Sequence, residues 1–391
     1  MKLVSRQLRF AFVCAWCCVP LTIGTMCGQE MAPLRSPEVA ADDRVTFRFA
    51  DPNARMVSLD LEGTREPEAM QKGSDGVWSL TVGPLDPDFY GYAFIADGVR
   101  LVDPSNPAIK PNLLENESEA HVPGPTSLPW EINDVPHGVV HRHFYRSQIV
   151  GDQRDFYVYT PPGYDPRAKT NYPVLYLLHG YSDDASAWIA VGRANVILDN
   201  LIAQGKAKPM VAVMPLGYGA PEILAQGWRG IGDAALRARN YEKFRHALLQ
   251  EVIPAVESTY RVSKARESRA IAGLSMGGAE SLSVGLNDLD QFAWIGAFSS
   301  GGMSDDYAAV FPNLDSGASS KLRLLWISCG EEDRLFPANQ RLRDWLQLKG
   351  VHLSWNETPG AHWWMVWRRN LVSLAPLLFQ APANSQATQS H

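Results

Sequence analysis

Beyond residue 27 the sequence holds one cysteine, Cys329; Cys14, Cys17, Cys18 and Cys27 all lie before that point. A chain exported without its first 27 residues therefore has no internal disulfide, and its hydrophobic core must hold it together. Basic charge is scarce as well. The 36 Lys and Arg against 42 Asp and Glu leave a formal net charge of −6, which argues against nucleic acid as the main partner. No internal repeat or long low-complexity segment is present. The N-terminal apolar run, "FAFVCAWCCVPLTIG", is too short and too interrupted by Pro and Gly to favour a permanent membrane span.

That run follows Lys2, Arg6 and Arg9, and together they read as a secretory signal over residues 1–27, with cleavage near Thr25-Met26-Cys27. Lipid attachment at Cys27 is the competing reading, but Gly24-Thr25-Met26 makes a poor lipobox. Loss of the segment removes three cations and no acid, which suits a soluble secreted or periplasmic protein. The remaining length, with 46% hydrophobic and 10% aromatic residues overall, is enough for a globular protein of more than one domain.

From Arg44 the pattern is one of short alternating strands, "RVTFRFA", "MVSLDLEG", "GVWSLTV" and "YGYAFIADGVRLV", with Asp97-Gly98 as a hairpin turn. Residues 40–122 are expected to form a small β-sandwich without catalytic groups. Its Trp78, Tyr90 and Tyr92 suit a core, or alternatively a sugar-stacking platform. Residues 123–136 are Pro-rich and read as a linker. Residues 137–380 alternate strand and helix signals, with eight candidate strands, the middle ones nearly continuous apolar runs. Such runs belong to parallel strands covered on both faces, so this part is an α/β domain. Residues 381–391 read as a disordered tail.

"RAIAGLSMGGAESL" places Ser275 directly after the fifth of these strands and before a helix. A sharp strand-to-helix turn of the G-x-S-x-G type lifts a serine oxygen above the sheet edge, with Gly273 and Gly277 where side chains would collide. An unassisted hydroxyl is a poor nucleophile and needs a base. His362 in "PGAHWW", after the eighth strand, is best placed. His137, His141, His143 and His352 sit on or beside strands, and His246 on a helix. His141 and His143 share a strand face, but two ligands without a third are weak evidence for a metal.

The base in turn needs a carboxylate to fix its tautomer. "SCGEED" ends the seventh strand, and Asp333 is preferred over Glu331 and Glu332, because the Gly330 turn must be completed before a side chain can point toward the next loop. The order Ser275, Asp333, His362 is that of an α/β-hydrolase. Oxyanion donors are expected from the backbone N–H of Met276 and, in "LLHGYSDD", of Tyr181. His179 in that loop reads as structural.

"YTPPGYD", "YPVLYLLHG", "GRANVILDNLIAQGKAKPM", "RAIAGLSMGG", "CGEED" and "GAHWWMVWRRNL" resemble the esterases related to carbohydrate esterase family one, a group including feruloyl esterases, esterase D-like and enterochelin esterase-like proteins. The region before them resembles, more loosely, the early-set immunoglobulin-like module often found ahead of these esterases. The implied fold is an α/β-hydrolase domain preceded by a small all-β immunoglobulin-like sandwich. The implied activity is that of a secreted serine carboxylesterase without metal or organic cofactor, with nucleophile Ser275, acid Asp333 and base His362. Its expected partner is an acylated oligo- or polysaccharide or another small ester, with feruloyl or acetyl as the acyl group. Trp188, Tyr218, Trp363 and Trp364 are the candidate substrate-binding aromatics. Siderophore-ester cleavage, acyl transfer on the same triad, and a carbohydrate-binding protein with an inactive hydrolase domain are the alternatives.

Overall fold

The computed structural model describes residues 34–381; the signal-segment reading, Cys27 and nearly all of the C-terminal tail lie outside the described residues. Ten short strands come first: β1 (Glu38–Val39), β2 (Val45–Ala50), β3 (Val57–Leu61), β4 (Glu68–Ala69), β5 (Gln71–Lys72), β6 (Val77–Val82), β7 (Asp88–Ala96), β8 (Val99–Leu101), β9 (Ile109–Lys110) and β10 (Glu117–Val122). They form two sheets, in orders β1-β2-β6-β5 and β4-β3-β7-β10-β9, with β8 paired to β7. Alternation explains the arrangement. Val45, Phe47 and Phe49 of one sheet and Leu59, Leu61, Tyr92 and Phe94 of the other point into a single shared core. Asp97 and Gly98 both have positive φ, 45° and 87°, as a tight β7–β8 hairpin requires. Trp78, Tyr90 and Tyr92 are buried in that core, so they form no stacking platform.

The second part carries an eight-stranded sheet: β11 (Val139–Arg146), β12 (Gln153–Thr160), β13 (Val174–Leu178), β14 (Val211–Pro215), β15 (Arg269–Leu274), β16 (Trp294–Phe298), β17 (Leu324–Gly330) and β18 (Ser354–Thr358). Its order is β11-β12-β14-β13-β15-β16-β17-β18; β12 runs antiparallel to both neighbours, and β13 through β18 are parallel. Every residue of β13, β14, β15 and β16 is buried, as the apolar runs predict.

Successive residues of β13 alternate between two cores. Leu175 and Leu177 pack with α1 (Ala194–Ala203) on one face, and Val174, Tyr176 and Leu178 pack with α2 (Ala234–Ala247) on the other. The second face also takes α3 (Ser275–Asn287) and α4 (Phe336–Leu348), while α5 (Trp364–Leu374) joins the first.

β7 is covered on both sides. Tyr90, Tyr92 and Phe94 face the sandwich core, whereas Phe89 belongs to the core of the α/β part. Beside Phe89, the buried guanidinium of Arg368 on α5 donates to Oδ1 of Asp88 at 2.8 Å and to the Phe89 carbonyl at 2.6 Å. Breaking such a buried pair from one side typically costs about 3–5 kcal/mol. Residues 123–136 form no helix or strand. Within them Trp130 packs into the same core, and the Asn200 amide donates to the carbonyls of Pro129 and Glu131.

Candidate active site

The chain leaves β15 and enters α3 through Ser275, whose φ of 51° is left-handed. A non-glycine residue there stores of order 1–3 kcal/mol, held by its surroundings. Those surroundings are tight. A Cβ on Gly273 would stand 2.5 Å from the Gly277 carbonyl oxygen, and one on Gly277 would stand 2.4 Å from that of His179. The two glycines therefore let the elbow, α3 and the loop after β13 approach one another.

The Ser275 hydroxyl donates to Nε2 of His362 at 2.9 Å, and Nδ1 of His362 donates to Oδ2 of Asp333 at 2.7 Å. Asp333 Oδ1 accepts the Leu335 N–H at 2.8 Å. Burial pushes the Asp333 carboxyl up, but the hydrogen bond and charge of His362, helped by that backbone N–H, outweigh it and hold its pKa below the ordinary range. Glu331 and Glu332 are exposed. The ring of Trp367 meets His362 edge-on at 4.8 Å between centroids.

Met276 is the second residue of α3, where an N–H has no intrahelical acceptor. Tyr181 lies in the loop after β13, and among the described residues its N–H donates to no protein group. Its hydroxyl lies 2.8 Å from the Ile223 carbonyl and 2.5 Å from that of Gly227. His179 fastens this loop from within: Nδ1 faces the Gly180 carbonyl at 2.8 Å and Nε2 accepts the Gly217 N–H at 2.8 Å. Burial lowers its pKa to about 4, so it stays neutral.

A cavity of about 320 Å³ opens over Ser275 and His362. Trp363 and Trp364 line it, with Tyr181 and Trp367. Trp188 and Tyr218 do not. The Trp188 side chain is fully buried, packs edge-on against Phe298 and Trp364, and donates from Nε1 to the Leu178 carbonyl. Tyr218 is buried beside His179, and its hydroxyl donates to the Asp183 carbonyl at 2.9 Å. Both aromatics are framework behind the site, a correction to their assignment as substrate contacts.

Sequence reasoning missed two parts of the wall. One is Trp228, half exposed at the cavity rim, whose indole N–H donates to Glu115 at 2.9 Å. The other comes from the sandwich: Asp60, Glu62, Lys110, Asn112, Glu115 and Glu117 all face the same cavity. Lys110 lies 3.1 Å from Glu62 and 2.8 Å from Glu117, and Arg100 bridges Glu117 and Asp60. Nothing in the local pattern of these residues separates them from a solvated strand surface.

Comparison with known proteins places this geometry among relatives. The Esterase family model matches residues 147–378. An endo-1,4-beta-xylanase/feruloyl esterase of Xylanibacter ruminicola is 29% identical over 354 residues, 88% of this chain and 46% of that protein. The chain thus spans about half the length of that relative. Among solved structures, a CE1 ferulic acid esterase from Anaeromyces mucronatus superposes with a TM-score of 0.56 at 23% identity, covering 64% of this chain and 93% of that one. The enterobactin esterase of Shigella flexneri gives a TM-score of 0.64 at 20% identity, covering 85% of this chain and 92% of that one. At these identities the two structures share the fold. The broader coverage of the second takes in much of the sandwich as well as the α/β part.

Proposed function

The chain belongs to the Esterase family, and from that premise we propose that it is a secreted serine carboxylic-ester hydrolase that removes feruloyl or acetyl groups from plant polysaccharide or its oligosaccharides. The observation that carries this reading is the unbroken line of hydrogen bonds from Ser275 through His362 to Asp333 at the floor of the cavity. The Ser275 oxygen attacks the ester carbonyl while its proton passes to Nε2 of His362. Asp333 holds the imidazole in the tautomer that can accept that proton and stabilises the imidazolium. The N–H groups of Met276 and Tyr181 receive the developing oxyanion. Collapse of the tetrahedral intermediate breaks the bond to the alcohol, which leaves with the proton from His362. Water, deprotonated by the same histidine, then attacks the acyl carbonyl. Collapse of the second intermediate breaks the bond to the Ser275 oxygen, which takes its proton back from His362 as the acid leaves.

The same reading assigns residues 137–380 to the esterase domain, 40–122 to an accessory sandwich, and 1–27 to an export signal. Among the described residues no helix is long and apolar enough to cross a membrane. The sugar reading is supported by the xylanase/feruloyl esterase relative.

Relative kcat/KM on methyl ferulate, acetylated and feruloylated xylo-oligosaccharides, and a catecholate ester tests the substrate class. The neutral sugar esters are expected to lead, and a catecholate preference overturns it. Ser275→Ala is expected to abolish turnover of all of them while leaving the fold intact, and fluorophosphonate is expected to label wild type but not this variant. Turnover surviving at the wild-type level removes Ser275 from the mechanism.

A further inference from the structure

The segment carrying His362 is held from outside its own domain. α5 begins two residues after the histidine, at Trp364, and the first N–H groups of a helix have no intrahelical acceptor. A serine, threonine or aspartate at the preceding position would normally supply one, but Trp363 stands there and has no side-chain acceptor. The missing oxygen comes from the sandwich. Oε1 of Glu62, the residue after β3, accepts the Trp364 N–H at 2.8 Å.

Glu62 is itself fixed. Its Oε2 accepts the Gly91 N–H at 2.9 Å and the Lys110 ammonium at 3.1 Å, and its side chain is only 6% exposed. Burial pushes this carboxyl up. The charges of Lys110 and Arg368, with the N–H groups of Gly91 and Trp364, outweigh burial and hold it below the ordinary glutamate range. An ionised carboxylate at a helix N-terminus is also favoured by the helix dipole. The residues flanking the capped N–H point the same way: Trp363 packs on the sandwich core and Met365 is part of it. One turn further on, Arg368 is locked to Asp88 of the sandwich.

We propose that Glu62 is a positioning residue for His362, so that the sandwich is a working part of the esterase site and not an appendage to it. The carboxylate fixes the first turn of α5, and through it sets where the His362 imidazole stands between Ser275 and Asp333. The proposal rests on the reading of those three residues as a triad. A base displaced by about 1 Å can lose about 100-fold in rate without any loss of substrate contact, so the effect belongs in kcat.

The test compares two side chains at one position, assayed on folded protein with p-nitrophenyl acetate. Glu62→Asp keeps the charge for Lys110 but is too short to reach the Trp364 N–H. Glu62→Gln loses the charge, and its single amide oxygen cannot serve both the Trp364 N–H and the Gly91 N–H with Lys110, so it weakens the cap as well. Glu62→Asp is expected to lower kcat about 10–100-fold with KM within about threefold, and to slow fluorophosphonate labelling of Ser275 in proportion. Glu62→Gln is expected to lower kcat in the same direction, with KM again within about threefold. Glu119→Gln, which takes the charge from the Glu119–Arg193 ion pair elsewhere on the same interface, serves as the control and is expected to leave kcat unchanged.

Wild-type kcat in Glu62→Asp overturns the proposal. Losses that fall on KM and leave kcat at the wild-type level in both variants overturn it too. So does a loss in either variant that only follows the fraction of unfolded protein. Turnover surviving in Ser275→Ala, run alongside, would instead sink the triad reading itself.

Discussion

Nδ1 of His362 donates to Oδ2 of Asp333 across 2.7 Å, and the Asp333 side chain has no solvent exposure. With its pKa held below the ordinary carboxylate range, the aspartate is ionised wherever an esterase is assayed. Asn at this position keeps the shape but can present an amide N–H to Nδ1, which favours the tautomer that cannot accept the serine proton. Asp333→Asn is therefore expected to lower kcat by about 10⁴ with little change in KM. Steady-state kinetics on p-nitrophenyl acetate checks it, with Glu331→Gln as a neutral comparison. A loss smaller than tenfold would remove Asp333 from its role.

Gly277 shows the elbow from its other side. In an ordinary helix interior, Gly to Ala stabilises by roughly 1 kcal/mol. Here the added Cβ would stand 2.4 Å from the His179 carbonyl oxygen and 2.7 Å from the Leu178 carbonyl carbon, both backbone atoms. Gly277→Ala is expected to destabilise by about 1–3 kcal/mol through overpacking. It should also lower kcat, because the loop that must give way carries Tyr181. Thermal unfolding and kcat measured together check this; a raised Tm with normal kcat contradicts the close approach.

One helical turn beyond Gly277, Glu280 lies fully buried, with Oε1 accepting from Asn240 at 3.1 Å and Oε2 without a protein partner among the described residues. Burial raises its pKa well above the ordinary value, against the charge of Arg154 and the Asn240 hydrogen bond. The unfolded chain ionises Glu280 in the usual range, so folding takes up a proton above it. The stability linked to this group is whole below that range and is lost as pH rises toward the folded pKa. Gln cannot ionise and keeps the acceptor for Asn240. The Tm of Glu280→Gln relative to wild type is expected to climb between about pH 5 and about pH 8. Each 1 kcal/mol is about 2–4 °C in a domain of this size. A difference that is flat or shrinks with pH would mean that Glu280 is ionised in the fold.

Chain order made the hydrogen-bonded line of Ser275, His362 and Asp333 legible. Ser275, Asp333 and His362 each follow a strand of a parallel sheet, and consecutive strand ends in such a sheet share one edge, so three local patterns sufficed to bring their side chains together. The β-strands were legible for the same reason, through alternation in β2 and β3 and unbroken apolar runs in β13 to β16. Trp188 and Tyr218 were not, because an aromatic near an active-site loop has the same sequence signature whether it faces the cavity or the core behind it. Glu62 was the hardest to see. Its partner Trp364 lies 302 residues away, and no local period encodes which surface of a sandwich will meet which helix.

Trp228 is 51% exposed, its ring centroid lies 5.8 Å from that of Tyr181, and its indole N–H reaches across to Glu115 of the sandwich. An exposed indole fixed at a cavity rim offers a flat face to a planar acyl group, and aromatic pairs of this kind contribute about 0.5–1.5 kcal/mol. A feruloyl ring can use that face, whereas an acetyl group is too small. Trp228→Ala is accordingly expected to raise KM for methyl ferulate about 3–10-fold, with kcat retained, since 1.4 kcal/mol corresponds to tenfold in binding. For p-nitrophenyl acetate, whose own ring occupies the leaving-group side, KM should stay within about twofold. Equal rises for both esters would place Trp228 against the alcohol and not the acyl group. No rise for either would leave the indole a bridge between the two parts of the wall, without a substrate contact.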